Sequence, residues 1–403
     1  MKIALIAGRL CAPSAADNYP GDPARRILSL ASALAGHDHD VTVYARRQSA
    51  PRGPATSLPG LTVELIDAGP RRALSAEMLL PHIALFADLL ADRWRRDTPD
   101  VVHADFWTSG VAAVAGTRGL GVPVAVTLHP PGDDAEPGRS RRVEGNGARD
   151  RMEASLTRSV QAVLADDSDE AARLDRLSAS RRGTPSASVR VIPPGVDTAR
   201  FRPDGPAATR DGRPRLLVVA PPGEQPDVTA AVRALADVPD AELVVAGGPA
   251  RARLRRDAGY RALTGLARQL GVADRLTCTG AVREAGMPAL MRSADVLLHL
   301  TTDPAFATVP VEAMACGTPV IAIAAGAARD AVIHENTGFL VSPASPAQLV
   351  QRTRQLLTQP MLLEGYGIAA ASRAADRYSW ERIGQETLAV YEAMRGPQMP
   401  AAA

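Results

Sequence analysis

The chain has 403 residues, which is enough for two domains, because a single hydrophobic core rarely serves more than about 250–300 residues. Hydrophobic residues at 46% and charged residues at 22% are typical of globular proteins and exclude disordered, collagen-like and coiled-coil classes. The 46 basic and 44 acidic residues nearly cancel, so the charge predicts no nucleic-acid partner. Lys2 is the only lysine, and this excess of arginine indicates a GC-rich bacterial source.

Cysteine usage and the N-terminus bear on localisation. Cys11, Cys278 and Cys316 are odd in number and far apart, which favours neither a disulfide framework nor a zinc cluster. We therefore expect no metal site and a cytoplasmic protein. The apolar run 3–7 is shorter than the core of an export signal and predicts a buried strand instead. No stretch approaches the roughly 20 apolar residues of a membrane-spanning helix.

Short apolar runs alternate with helical periodicity along the chain, which is the pattern of βαβ units. One helix has apolar residues spaced i, i+3, i+4 and i+7, at Ile27, Leu30, Ala31 and Leu34. The predicted strands of a first series are 3–7, 41–44, 101–103, 122–127 and 162–165, and those of a second series are 216–219, 243–246, 276–279, 296–298 and 320–323. Two parallel sheets covered by helices follow.

Proline- and glycine-rich sequence separates the two series. We predict an N-terminal domain over 1–203, a connection over 204–214, a C-terminal domain over 215–377, and a terminal helix and tail over 378–403. Ser379 suits the N-cap of that last helix. Segments 46–59 and 130–150 are predicted surface loops. The second follows a strand end, so it either meets the acceptor or is an ordinary solvated loop.

Several motifs carry a family resemblance. From 306 the sequence reads Phe306-Ala307-Thr308-Val309-Pro310-Val311-Glu312-Ala313-Met314-Ala315-Cys316-Gly317-Thr318-Pro319-Val320, and further matches lie at 99–103, 192–197, 246–249, 293–296 and 378–381. In type and order they resemble glycosyltransferase family 4 over nearly the whole chain. The resemblance implies an α/β GT-B architecture, with two Rossmann-like domains facing each other across a cleft. It also implies retaining, metal-independent transfer of a sugar from a nucleotide-diphosphate sugar to an acceptor hydroxyl, with no other cofactor.

The main motif has a physical interpretation of its own. Pro310 suits the first turn of a short helix, and Gly317 suits the left-handed residue that ends it. The N-terminus of such a helix attracts anions. By resemblance, the donor lies against Phe306, Ala307, Thr308 and Val309, and Glu312 binds the ribose hydroxyls of its nucleotide. The alternative for Glu312 is an acid that only interacts with the helix dipole.

Two further places resemble donor contacts of the family. His129, at the end of a predicted strand, matches the histidine that faces the donor sugar, where a neutral imidazole can form a hydrogen bond. The alternative is a purely structural histidine. His103 and Asp105 are predicted to be structural. Ala281 and Val282 match the segment whose main chain binds the nucleotide base, and the base itself remains open.

The sequence departs from the family at the sugar and diphosphate positions. Pro304 occupies the place of a sugar-facing glutamate, and Asp303, one residue earlier, is the nearest substitute. Pro221 and Pro226 replace the arginine and lysine that hold the diphosphate. The loop after the first strand has Gly21 but no glycine pair. Each charge-assisted contact contributes roughly 1.5–3 kcal/mol, so two losses weaken donor binding substantially.

These departures leave three functional hypotheses. The first is an active enzyme in which another cation, such as Arg25 or Arg26, replaces the lost pair. The second is a catalytically degenerate relative that serves as a protein partner or regulatory subunit of another glycosyltransferase. The third is a membrane-surface enzyme that glycosylates a lipid and docks through the segment 79–96 with Trp94. The apolar stripe of that segment is typical of an ordinary core-facing helix, so we do not expect membrane association. The acceptor, a small molecule or a glycan, is not indicated.

Overall fold

The computed structural model of the protein describes residues 1–8, 23–48, 59–129, 147–179, 187–222 and 226–396. Within these residues the first parallel sheet has the order β3-β2-β1-β4-β5-β6-β7. Its strands are β1 Lys2–Ala7, β2 Asp40–Arg46, β3 Leu61–Ile66, β4 Val101–Asp105, β5 Val124–Leu128, β6 Ala162–Ala165 and β7 Ser188–Val191. Helices pack on it at α1 Pro23–Ala35, α2 Ala76–Leu79, α3 Ile83–Arg96, α4 Trp107–Gly116, α5 Gly147–Ser159 and α6 Ser168–Ala179.

The second parallel sheet has the order β10-β9-β8-β11-β12-β13. Its strands are β8 Arg215–Val219, β9 Glu242–Ala246, β10 Leu276–Gly280, β11 Val296–His299, β12 Val320–Ile323 and β13 Gly338–Val341. The helices that follow are α7 Pro226–Ala236, α8 Ala258–Gln269, α9 Met287–Arg292, α10 Val309–Ala315, α11 Gly326–Ala331, α12 Pro346–Thr358, α13 Pro360–Tyr378 and α14 Trp380–Arg395. The expected α/β architecture, with two parallel sheets covered by helices, is confirmed.

All ten predicted strands are present, with ends displaced by at most two residues. The sequence pattern did not indicate β3, β7 and β13, and each of these lies at an edge of its sheet. Of the predicted surface loops, Arg46 ends β2 with a buried side chain and Asp150 lies in α5, while 49–58 and 130–146 fall outside the described residues.

The segment proposed for membrane docking is a core helix. Trp94 has no exposed surface, and Ile83, Ala87, Leu90 and Ala91 are buried with it. An interfacial helix would present its tryptophan to the lipid headgroups, so the structure contradicts that interpretation. Among the described residues, no helix combines the length and apolarity needed to cross a bilayer.

The last helix returns to the first sheet. Ser379 caps α14 by accepting a hydrogen bond from the N–H of Arg382 at 3.3 Å, as its sequence predicted. The helix packs on α1 so closely that a Cβ at Gly384 would lie 3.2 Å from that of Ala33. Further along, Tyr391 is fully buried, and its hydroxyl lies 2.6 Å from Nδ1 of His103. The terminal helix therefore belongs to the core of the first domain.

We expect Tyr391→Phe to lower the free energy of unfolding by about 1–3 kcal/mol, because His103 Nδ1 is buried and loses its partner. Urea denaturation measures the change. Gln385→Ala, at an exposed position of the same helix, is the matched control and should stay within about 0.5 kcal/mol of the wild type. Equal stability of the Tyr391 and Gln385 variants would contradict a structural role for the hydroxyl.

Candidate donor and sugar site

The carboxyl edges of the two sheets face each other. Ser168, which follows β6, bonds through its N–H and hydroxyl to Asp330 at 2.7 and 2.6 Å, and Asp330 lies in α11, which follows β12. Asp169 accepts from the N–H of Gly326 at 2.8 Å in the same region. Ligands of open parallel sheets bind beyond the carboxyl ends of the strands, where the strand order reverses. In the second sheet that point lies between β8 and β11.

Helix α10 begins beyond the end of β11 and has the predicted boundaries. Pro310 lies in its first turn, and Gly317 ends it with a φ of 78°. The N–H groups of Gly317 and Thr318 donate to Met314 and Ala313 at 2.9 and 3.0 Å, which satisfies carbonyls at the helix end. The N–H groups of Val309 and Val311 lie in the first turn, where an α-helix offers no acceptor of its own.

The residues predicted to contact the donor divide by burial. Phe306 and Val309 have core side chains, 6% and 0% exposed, so only their main chain is available to a ligand. Ala307, Thr308 and Glu312 are partly exposed. Glu312 lies near the positive end of the α10 dipole, where a carboxylate is stabilised. A partly exposed acid therefore lies at the strand-order reversal, and its role as a ribose ligand stays a prediction.

Asp303 has a local structural role. Its carboxylate accepts a hydrogen bond at 3.0 Å from the N–H of Ala305 and caps the short 3-10 helix Pro304–Phe306. Its own N–H donates to the hydroxyl of Thr301 at 3.0 Å. Because the carboxylate stabilises this turn, using it as a sugar ligand would expose the end of the helix.

His129 is the centre of a buried ionic cluster, which we call the His129 cluster and define as Arg26, Asp105, His129 and Asp166. The ring is 4% exposed, and its two nitrogens lie 2.8 Å from Asp166 and 2.9 Å from Asp105. Arg26 forms a two-point ion pair with Asp166. The sequence analysis predicted a neutral imidazole that forms a hydrogen bond with the sugar. In the structure both ring nitrogens contact carboxylates, so a sugar would have to displace one of them.

The cluster holds His129 as a cation. Burial opposes protonation, but Asp166 and Asp105 together outweigh burial and raise the pKa of His129 to about 10. Burial alone would raise the pKa of Asp166, but Arg26 and His129 hold it well below its usual range. His103 differs, because burial lowers its pKa to about 4 and its ring bonds to Tyr391 and, at 2.7 Å, to Thr127. His103 is therefore structural, as predicted, and Asp105, which was also predicted to be structural, pairs with His129.

Phe106 joins the cluster in a strained conformation. Its φ is 76°, a value that few residues other than glycine adopt. The ring stacks on His129 at 6.3 Å between centroids, and the guanidinium of Arg149 lies 5.4 Å from its centre. Arg149 also donates to the carbonyl of His129. No sequence signal marks a positive φ at phenylalanine, so this support of His129 was not predicted.

Neither the predicted base segment, Ala281 and Val282, nor the two arginines of α1 offers a fully exposed, unpaired contact for the donor. Ala281 donates its N–H to Pro249 at 3.0 Å, and Val282 packs partly on the core, so both are only partly exposed. Arg25 pairs with Glu284 across the two domains. Since Arg26 is paired with Asp166, neither arginine replaces the lost phosphate contacts in this arrangement. Gly21 lies outside the described residues.

An open pocket of about 670 Å³ lies outside the candidate donor site. It runs along α1 from Arg25 to His37 and is also lined by Arg200 and Trp380, but it includes neither Glu312 nor His129. Within the described ranges, no group of three or more His, Cys, Asp or Glu side chains is arranged to hold a metal ion.

Both halves of the chain match the models of known families. The model of the group 1 glycosyl transferases matches residues 208–373, and that of the glycosyl transferase 4-like domain matches residues 21–195. The D-inositol 3-phosphate glycosyltransferase of Streptomyces avermitilis is 32% identical over 398 residues, covering 91% of this chain and 82% of the relative. The protein of that name from Geodermatophilus obscurus is also 32% identical, with coverage of 91% and 83%.

Solved structures share the whole fold. Sucrose-phosphate synthase from Thermosynechococcus elongatus has a TM-score of 0.78 at 24% identity, covering 98% of this chain and 100% of that one. Anabaena HepE in complex with UDP-glucose has a TM-score of 0.66 at 18% identity, with coverage of 98% and 100%. The fold and these matches define a glycosyltransferase of GT-B architecture. The chain belongs to the group 1 glycosyl transferases with a 4-like N-terminal domain, which confirms the resemblance to glycosyltransferase family 4.

We expect the stability difference between the wild type and His129→Gln to shrink as the pH rises from about 6.5 to 10. The folded pKa of His129 is raised to about 10, so its stabilising contribution is complete below the unfolded value and is lost as the pH approaches the folded one. The stability difference should change by no more than about 1.4 kcal/mol per pH unit. Urea denaturation over a pH series measures it.

His103→Gln is the control for this measurement. In the folded protein its ring is neutral over the whole interval, because burial lowers its pKa to about 4. Its stability deficit should therefore stay constant above about pH 7.5, where the unfolded chain is also deprotonated at this residue. A deficit of His129→Gln that is equally flat would show that the His129 ring is not a cation in the folded protein.

Proposed function

We propose that the protein transfers a sugar from a nucleoside diphosphate sugar to an acceptor hydroxyl, with retention of anomeric configuration, without a metal ion, and in the cytoplasm. The observation that carries the proposal is Glu312, a partly exposed carboxylate at the start of α10 and at the strand-order reversal of the second sheet. A carboxylate accepts two hydrogen bonds at once, which suits the neighbouring hydroxyls of a ribose.

In the proposed reaction, the N-terminus of α10 stabilises the leaving phosphate. As the bond from the sugar C1 to the phosphate oxygen breaks, the negative charge on that phosphate rises beside the N–H groups of Val309 and Val311. The acceptor oxygen forms its new bond to C1 on the same face, and its proton passes to the departing phosphate. Since the dipole and the N–H groups stabilise the leaving group, no metal ion is required for this step.

The relatives suggest the first substrates to test. Anabaena HepE has been crystallised with UDP and with UDP-glucose, so uridine nucleotides come first among the donors. The curated relatives are named as D-inositol 3-phosphate glycosyltransferases, so a phosphorylated cyclitol comes first among the acceptors.

We expect Glu312→Ala to weaken binding of the preferred nucleoside diphosphate by about 10- to 100-fold, because hydrogen bonds to a charged carboxylate contribute roughly 1.5–3 kcal/mol. Calorimetric titration with a panel of nucleoside diphosphates measures the effect. Glu364→Ala, at an exposed position of α13, is the matched control and should bind like the wild type. Unchanged affinity in the Glu312 variant would remove the observation on which the proposal depends.

We expect the initial transfer rate to be the same in excess EDTA as in millimolar Mg²⁺, because the leaving phosphate is stabilised by α10. NMR of the product should show the anomeric configuration of the donor. An inverted product would refute retention, and a rate that collapses on chelation would refute metal independence.

The second candidate function is a catalytically degenerate partner or regulatory subunit. It is favoured by four observations: Pro304 replaces the expected glutamate, Asp303 caps a turn, and Arg25 and Arg26 are both paired. This candidate predicts no donor turnover by the purified protein alone. Turnover at an ordinary rate that disappears in Glu312→Ala would exclude it.

A further inference from the structure

A short basic segment follows β9 at the carboxyl edge of the second sheet. The 3-10 helix Arg251–Arg256, which we call the arginine turn, carries arginines at 251, 253, 255 and 256. All four are exposed, and none forms an ion pair with another described residue. Four like charges within six residues create a local positive field that attracts anions.

Close backbone contacts hold the arginine turn in the predicted donor site. A Cβ at Gly248 would lie 2.4 Å from Cδ of Pro222, in the loop after β8. A Cβ at Gly280 would lie 2.6 Å from the carbonyl oxygen of Pro249 and 3.0 Å from the nitrogen of Arg251. The first arginine of the turn therefore lies against Gly280, which directly precedes the segment predicted to bind the nucleotide base.

The strand order places Arg251 near the region predicted to hold the donor diphosphate. Only β8 separates β9 from β11, so the two strand ends are about 10 Å apart at the usual strand spacing. Helix α10 begins beyond β11, and the base segment begins beyond β10. A nucleotide that spans from the base segment to α10 must cross the ends of β9 and β8, and Arg251 is the residue of the arginine turn closest to that path.

The charge inventory of the site leaves the diphosphate without the usual cations. The family positions after β8 are Pro221 and Pro226 in this chain, Arg26 is paired with Asp166, and Arg25 is paired with Glu284. Arginine binds phosphate oxygens through two N–H groups at once and remains charged at every physiological pH. A guanidinium that enters from β9 instead of β8 would restore one of the lost contacts.

We propose that Arg251 binds the diphosphate of the donor and replaces the missing cations of the loop after β8. This rests on the proposed function for the identity of the ligand as a nucleoside diphosphate. The proposed phosphate contact lies in the loop after β9, whereas the family members that the sequence resembles use the loop after β8.

The test is calorimetric titration of the wild type, Arg251→Ala and Arg256→Ala with inorganic pyrophosphate and with nucleoside diphosphates. Arg256 is the matched control, because it is an exposed arginine at the far end of the same turn, about 10 Å along its axis. We expect Arg251→Ala to weaken both ligands by about 10- to 100-fold. Arg256→Ala should change them by less than about threefold, and both exposed substitutions should leave the circular dichroism spectrum unchanged.

Each outcome separates this inference from the proposed function. If nucleoside diphosphates bind in a Glu312-dependent manner and Arg251→Ala binds them like the wild type, the inference is wrong and the function stands. If pyrophosphate binding depends on Arg251 while nucleotides bind no more tightly and Glu312→Ala has no effect, the diphosphate contact at Arg251 stands, but its ligand is not a nucleoside diphosphate and the proposed function fails. Equal losses in the Arg251 and Arg256 variants would assign the effect to the general positive field and overturn a specific contact. No binding at millimolar concentration would overturn both.

Discussion

The chain passes between its two sheets twice, and these passages lie side by side. Val196, on the first passage, forms a parallel bridge with Ser379 on the second, and its N–H donates to the carbonyl of Tyr378 at 2.7 Å. Gly195 lies directly beneath Trp380, because a Cβ there would be 2.5 Å from the indole ring. This contact directs α14 onto α1. The same junction helps to hold the carboxyl edges of the two sheets opposite each other, so the placement of the His129 cluster relative to α10 depends on it.

The two edges that face each other differ in electrostatic character. On the first sheet, the charged groups neutralise one another within the His129 cluster, and burial in a low dielectric makes those pairs strong but costly to separate. On the second sheet, Glu312 and the arginine turn remain partly or fully exposed. The first domain therefore presents a surface of fixed, mutually paired charges, supported by the strained Phe106, and the second presents a carboxylate and four guanidinium groups to solvent.

The sequence predicted those elements that depend on the preferences of single residues at helix ends and on continuous runs of buried apolar residues. The strands with long apolar runs, the first turn at Pro310, the cap at Gly317 and the cap at Ser379 all follow from the residues themselves. The edge strands β3 and β7 were missed because they are only half buried and carry no continuous apolar run. The His129 cluster was missed for another reason: its members are brought together from 24, 37 and 140 positions apart, which no local pattern records.

The packing of Tyr391 and Leu388 among the strands of the first sheet has a consequence for biosynthesis. Both side chains belong to the same buried cluster as Ile3, Leu5 and Val43. Translation delivers the strands of that sheet first and α14, which packs against them, only after the second domain. The N-terminal half consequently leaves the ribosome with an apolar face on α1 that α14 covers in the folded protein. Docking of α14 thus waits for the synthesis of the second domain, and a product truncated before α14 would expose that face to solvent.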